Sequence, residues 1–278
     1  MRSFRFWACA LAACGSCLTA NAATSEISVN LKLDNDEFVS GERVRGVIDV
    51  VNVSPGQVLV EGDDFDRLFV EIFRSYDRTQ LETYTRSPFT ANFRLEPNEG
   101  QKLETFLSDH YGLRHAGRYL ARPVLVHGGV RYEGQPRAFD IVPGIFIRSA
   151  TQIFSNYEGL RREFRLVTWS RGGREHLFIS PQDAGTSDKK WWTVDLGQFM
   201  KTTKPAISIM PSGEVVVLHR LDPDNFVRSE FWSVKDGIEF NRRELVQDPE
   251  TAGTNRVREL YNQSGGIAPK ENPWWKFW

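Results

Sequence analysis

The 278-residue chain sets 35 Lys and Arg against 36 Asp and Glu, a net charge of −1, and is 40% hydrophobic, 12% aromatic and 26% charged. That balance supplies no global basic field to hold nucleic acid or an anionic membrane. Mean hydropathy is −0.41, and beyond the N-terminus no apolar run nears the roughly 18 residues of a membrane-spanning helix, which excludes a multi-span membrane protein. Collagen-like, coiled-coil and fully disordered classes fail on composition as well.

Residues 1–22 read as an export signal. Arg2 and Arg5 form a basic start, and Phe6 to Leu18 is an apolar and small-residue run. Its length, about 13 residues, suits the core of a signal peptide and is too short to span a bilayer. Ala20-Asn21-Ala22 supplies the small-x-small pattern of a cleavage site, so the mature chain is expected to begin at Ala23. A rival reading takes Leu11-Ala12-Ala13-Cys14, followed by Gly15-Ser16, as a bacterial lipobox with Cys14 acylated. All three cysteines (Cys9, Cys14 and Cys17) lie in this segment. After ordinary cleavage, disulfides, thiolate nucleophiles and Cys-bound zinc are excluded. The mature chain then keeps 33 basic residues against 36 acidic ones, a net charge of −3. With no disulfide to staple it, it must rely on a real hydrophobic core. No transmembrane helix remains after signal cleavage.

From Ile27 the chain alternates with period two: Ile27, Val29, Leu31 and Leu33 are apolar, with Ser28, Asn30 and Lys32 between them. That is a half-buried strand. Asp34 to Glu37 breaks it, and Phe38 to Glu42 leads into a second alternation at Val44, Gly46, Ile48 and Val50. Leu68, Val70, Ile72 and Phe73 mark a third strand, and Phe89 to Leu95 a fourth. Tyr119, Ala121, Val124 and Val126 mark a fifth, Gly128-Gly129 is a hairpin signal, and Arg131–Tyr132 and Ala138 to Val142 close the segment. Short strands separated by turn signals, with little helix, predict an antiparallel sandwich over residues 23–143. Leu33 to Val50 and Ala116-Gly117-Arg118-Tyr119 through Pro143 carry a resemblance to the immunoglobulin-like and macroglobulin-like sandwiches of secreted bacterial proteins. The resemblance spans about residues 27–143 and implies a fold, not an activity.

Residues 144–163 read as a connector, with Pro143-Gly144 as hinge and helical character around Gln152 to Arg162. Residues 164–250 hold a faint repeat. Leu166 to Ser170, a Gly172-Gly173 turn and Glu175 to Ile179 make one hairpin; Ala206 to Met210, a Pro211-Ser212-Gly213 turn and Glu214 to Leu218 make another. Trp192-Thr193-Val194 and Trp232-Ser233-Val234 follow them at matching distance. A period near 40 is the size of a propeller blade, but two units cannot close a propeller. The expectation is one small antiparallel sheet built from two blade-like hairpins. In residues 251–278, Asn255 to Tyr261 predicts a short helix ended by Gly265-Gly266, followed by an aromatic tail. The fold class is therefore mainly all-β.

Catalytic motifs are missing. There is no Gly-x-Ser-x-Gly elbow, no phosphate-cradling glycine loop and no His-Glu-x-x-His. Ser187 to Lys190 matches Ser-x-x-Lys only inside a polar loop, where nothing buries the lysine. The histidines (His110, His115, His127, His176 and His219) lack zinc-ligand spacing. Glu61, Asp63, Asp64 and Asp66, and Asp34 with Asp36, are acidic clusters; they would offer Ca²⁺ oxygen ligands but do not match the 12-residue loop, and turn solvation accounts for them. No cofactor is expected. The candidate contacts are aromatic: Trp191, Trp192 and Trp232 in the second segment, and Trp274, Trp275, Phe277 and Trp278 in the tail. With Trp169, the strand tryptophans serve either a core or a sugar-stacking face. Adjacent Trp191 and Trp192 point to opposite faces of a strand. The tail must cover something, its own chain or a partner. The expected function is that of an exported, non-catalytic protein acting by binding, or as a structural part of the bacterial cell envelope, with a protein partner there. A carbohydrate-binding module is the alternative, and a carboxylate-dependent hydrolase the more distant one.

Overall fold

The computed structural model describes residues 26–61, 66–83, 92–154, 161–183, 192–234 and 237–247. Among these residues there are eighteen strands and one four-residue helix, so the all-β expectation holds. The export segment with Cys14, the predicted C-terminal helix and the aromatic tail lie outside the described residues.

The first unit is two sheets around one core. β1 (Ile27–Leu33), β3 (Arg45–Asn52) and β7 (Gly100–Phe106) form one antiparallel sheet in the order β1-β3-β7. β2 (Glu37–Val39), β5 (Arg67–Arg74), β8 (Gly117–His127) and β10 (Arg137–Val142) form the other, in the order β2-β10-β8-β5, with β9 (Val130–Glu133) added on β8. The alternation in β1 is realised: Ile27, Val29 and Leu31 are buried, while Asn30 and Lys32 face water. Ile48 and Val50 from one sheet meet Val70, Ile72, Ala121 and Phe139 from the other in a single cluster. β2 pairs parallel with β10, Phe38 opposite Ile141. The chain's first strands are thus split between the two sheets. Of the expected strand Phe89 to Leu95, β6 (Phe93–Leu95) is described, and it pairs with β4 (Val58–Val60) as a small ribbon. The helix α1 (Leu107–His110) leads into Tyr111, whose hydroxyl donates to the Val70 carbonyl across the core.

The remaining strands form two four-stranded antiparallel meanders. β11 (Ile145–Ile153), β12 (Arg161–Arg171), β13 (Arg174–Asp183) and β14 (Val194–Gln198) make one. β15 (Ala206–Ile209), β16 (Glu214–Arg220), β17 (Asn225–Val234) and β18 (Gly237–Gln247) make the other. Both expected hairpins are present as β12–β13 and β15–β16. Gly172 and Gly173, at φ 57° and 76°, supply the positive dihedrals that a tight two-residue turn needs.

Two expectations are corrected here. The hairpins do not share one small sheet, because each recruits two more strands. The connector is not helical where it is described: Ile145–Ile153 is β11, paired along β12 from Ile145 opposite Thr168 to Ile153 opposite Arg161. The two meanders then face each other. Phe164, Leu166, Leu177 and Ile179 of the first pack against Ile207, Val215, Val217 and Phe231 of the second. The sequence repeat is one strand out of phase with these sheets. Glu175 lies at the start of β13, second residue of the third strand of its sheet, whereas Glu214 opens β16, the second strand of its own.

The central strands β12 and β13 of this first meander are covered on both faces. Its far side carries Val167 and Phe178, which pack with Val39 of the first unit, and Val142 and Trp169 close over them. Gly144, at φ 70°, lies so near this contact that a Cβ there would sit 3.0 Å from Val167 Cγ2.

Candidate functional site

A gathering of polar side chains lies at the seam between the two units, where the chain from Glu37 to Arg43 meets β12, β13 and β14. Thr193 N–H donates to the Gly41 carbonyl at 2.8 Å. Its hydroxyl donates to the Ser40 carbonyl at 2.7 Å and meets Ser180 Oγ at 3.0 Å. Glu42 and Thr193 form a parallel β-bridge. Arg171, stacked over the Phe178 ring, reaches Glu42 Oε2 at 2.7 Å with one nitrogen and Asp195 Oδ2 at 3.0 Å with the other. Asp195 also faces His176 Nδ1 at 3.0 Å and accepts from Gly197 N–H at 2.7 Å. Trp169 Nε1 donates to Glu37 Oε2 at 3.0 Å.

This chain of charges, Glu42–Arg171–Asp195–His176, contains an Asp–His pair, which is the orienting half of a nucleophilic triad. The other half is missing, since no hydroxyl among the described residues hydrogen-bonds to His176. Thr168 Oγ1 donates instead to Glu175 and to the His176 carbonyl, at 2.8 and 2.9 Å. The Lys201 ammonium at 2.6 Å is the largest influence on the Glu175 carboxyl and, with help from Thr168, holds it below its ordinary value although burial would raise it. The arrangement fixes one unit on the other through Arg171–Glu42 and the Thr193 bonds to Ser40 and Gly41.

A second polar element lies between the two meanders. Arg162 and Asp183, both fully buried, pair at 2.6 Å, and Arg162 also donates to the Val234 carbonyl of the facing sheet at 2.5 Å. On the outer face of the β15–β18 sheet, Arg228 pairs with Glu230 and Glu244, and Glu244 with Arg242.

The sequence candidates are dispersed. Trp192, half-buried two residues before β14, lies under the Arg43 guanidinium, 5.2 Å from ring centroid to charge. Trp232 is 41% exposed, on the face of β17 opposite to Phe231 and so turned away from the first meander. The two do not share a surface. Trp169 is held at the seam. Trp191, Trp274, Trp275, Phe277 and Trp278 lie outside the described residues, as do Asp63, Asp64 and the Ser187–Lys190 stretch. Of the first acidic cluster, Asp66 accepts from the backbone N–H groups of Glu61 and Gly128 and faces His127 Nδ1 at 3.0 Å. Burial alone would raise its carboxyl, but these three partners together hold it below the ordinary value. Asp34 pairs with Arg45 at 3.0 Å. Among the described residues no three His, Cys, Asp or Glu side chains are grouped as a metal ion requires, and no helix is long and apolar enough to cross a membrane.

Sequence spacing gave no warning of His219. It is 1% exposed, between the meanders, beside Phe199. Burial first, and the Arg243 charge second, push its imidazole down to about 3, against a weaker opposing pull from the Gln198 backbone. The folded state therefore holds His219 neutral, while the unfolded chain protonates it below about pH 6.5. Stability contributed by the neutral ring is complete above that pH and is lost as the pH falls toward 3, at about 1.4 kcal/mol per unit. Urea unfolding from pH 7 to pH 4.5 is expected to show this slope, and His219→Leu to flatten it. An unchanged slope in the variant would remove His219 as its source.

No family model matches the chain, and no curated protein does. Among solved structures it is similar to Spo0M, a sporulation control protein from Bacillus subtilis, at 10% identity, over 86% of this chain and 95% of that one, with a TM-score of 0.28. A likeness that loose transfers neither fold detail nor function.

Proposed function

We propose that the chain is an exported, non-catalytic bacterial protein that acts by binding within the cell envelope, as a rigid two-unit scaffold. The observation that carries this reading is the seam. Arg171 of the second unit pairs with Glu42 of the first, Thr193 bonds the Ser40 and Gly41 carbonyls, and Trp169 bonds Glu37, so the polar contacts that cross the seam serve attachment. Export rests on the Arg2–Ala22 pattern. An immunoglobulin-like class for the first unit is part of the proposal. It is supported by the strand order β1-β3-β7 against β2-β10-β8-β5. It is also supported by Tyr119 at the start of β8, whose hydroxyl donates to the His115 carbonyl four residues upstream at 2.8 Å, as in a tyrosine corner.

The aromatic terminus, Trp274, Trp275, Phe277 and Trp278, is assigned to partner docking. The test is fractionation followed by an affinity pull-down from envelope extract. The expected mature mass begins at Ala23, and deletion of residues 274–278 is expected to abolish partner recovery without changing the melting temperature. An uncleaved protein in the cytoplasm would overturn the export reading. Recovery unaffected by the deletion would overturn the docking role.

A further inference from the structure

The outer face of the β15–β18 sheet is more deeply buried than the sheet alone can explain. Leu218 stands opposite Ala206 and Arg228, Val216 opposite Glu230, and Phe226 opposite Val246, so all of these side chains share that face. Ala206 and Val216 are 0% exposed, Leu218 and Val246 2%, and Phe226 3%. Neighbours in a sheet shield each other's flanks but not the ends that point away from it, so such burial requires a layer on top. Among the described residues, the cluster on this face draws only on the four strands and on Met210 in the β15–β16 turn. The other faces have their layers: the inner face of this sheet packs on β12 and β13, and the far side of those strands packs on the first unit.

The chain that follows β18 suits this face. Val246, next to the last residue of β18, belongs to the cluster, so the chain leaves the sheet beside it. Seven residues, 248–254, then separate β18 from Asn255. Extended, they reach about 23 Å, more than the two interstrand steps, about 10 Å, from β18 to β16. At about 100° per residue, a helix over residues 255–261 would gather Val257, Leu260 and Tyr261 on one side, with Arg256 and Arg258 on the two flanks and Glu259 opposite. The apolar side matches Val216, Leu218 and Phe226. The flanking arginines match the carboxylates of the same face, Glu214, Glu230 and Glu244.

We infer that residues 255–261 fold back as a short helix on the outer face of the β15–β18 sheet and supply its covering layer. The assignment holds whether or not residues 274–278 dock in the envelope, since it places a different segment. Nuclear Overhauser contacts in the full chain test it directly. The Val257 and Leu260 methyl groups are expected to contact those of Val216 and Leu218. In an equimolar mixture of labelled and unlabelled chains, filtered to pass contacts between copies only, the same cross-peaks are expected to vanish. Leu260→Asp is expected to lower the melting temperature by about 5 °C, the effect of losing one buried leucine in a chain of this size. Glu259→Ala, on the water side of the helix, is expected to leave it unchanged. Absence of contacts between residues 257–261 and this face would overturn the assignment. Contacts that arise between copies would overturn it too, by making a second chain the cover, as would a melt that Leu260→Asp leaves unaltered.

Discussion

Arg162→Met is expected to destabilise the protein by about 3–5 kcal/mol, the range for breaking one side of a fully buried ion pair. Arg162 and Asp183 are opposite each other on β12 and β13, and neither side chain has any exposed surface. The guanidinium does three jobs at once. It neutralises Asp183, it donates to Val234 and Ser233 of the facing meander at 2.5 and 3.3 Å, and it lies over the Phe154 ring at 5.1 Å. Methionine keeps much of the apolar stem but leaves the Asp183 carboxylate in an apolar setting and the Val234 carbonyl without that donor. The cost is therefore mainly an uncompensated charge, not lost packing. Arg162→Met with Asp183→Leu should recover much of the loss, because a buried pair exchanged for apolar groups of similar volume is often neutral. Urea unfolding of both variants measures this. A single variant within about 1 kcal/mol of the wild type, or a double variant as damaged as the single one, would refute the argument.

How much of this was legible in the sequence depends on how local each feature is. β1 was legible because one face of it is buried, so its apolar residues alternate; the β12–β13 turn was legible because paired glycines mark it. β7 was passed over because Gly100 to Glu104 offers no buried apolar face: it is an edge strand, and only Thr105 in it is buried. β11 was misjudged for the same reason, since Ile145, Phe146 and Ile153 are all more than half exposed and edge position hides the alternation. Its helical character was a period error on a short, two-sided apolar pattern. The parallel pairing of β2 with β10 spans the whole first unit and has no local signature. The seam is the extreme case. Arg171 and Glu42 are 129 residues apart, and Thr193 and Ser40 are 153 apart. Trp169 illustrates the consequence. Its ring drew attention as a possible sugar platform, but its partner Glu37 is 132 residues away, and spacing alone gives no reason to connect them.

The seam yields the second large effect. Phe178 is fully buried where β13 meets the first unit, packed with Val39 and Val167 beneath the Arg171 guanidinium. Phe178→Ala removes an aromatic ring from a site that the two units build together, and a buried Phe→Ala change costs about 3–5 kcal/mol. The loss should fall on the contact between units more than on either core, because the clusters around Ile48 and Leu177 do not include Phe178. It also removes the surface that holds Arg171 in place between Glu42 and Asp195. The wild type is expected to melt in one cooperative transition, and the variant in two, with the second unit melting first. Hydrogen exchange provides the local reading. The Thr193 amide, bonded to the Gly41 carbonyl across the seam, should lose far more protection than the Val217 amide, which lies inside the second unit in the β15–β16 pairing. If Phe178→Ala keeps a single transition and lowers both amides' protection equally, the seam is not a separable contact, and the two units are one core whose charges only decorate it.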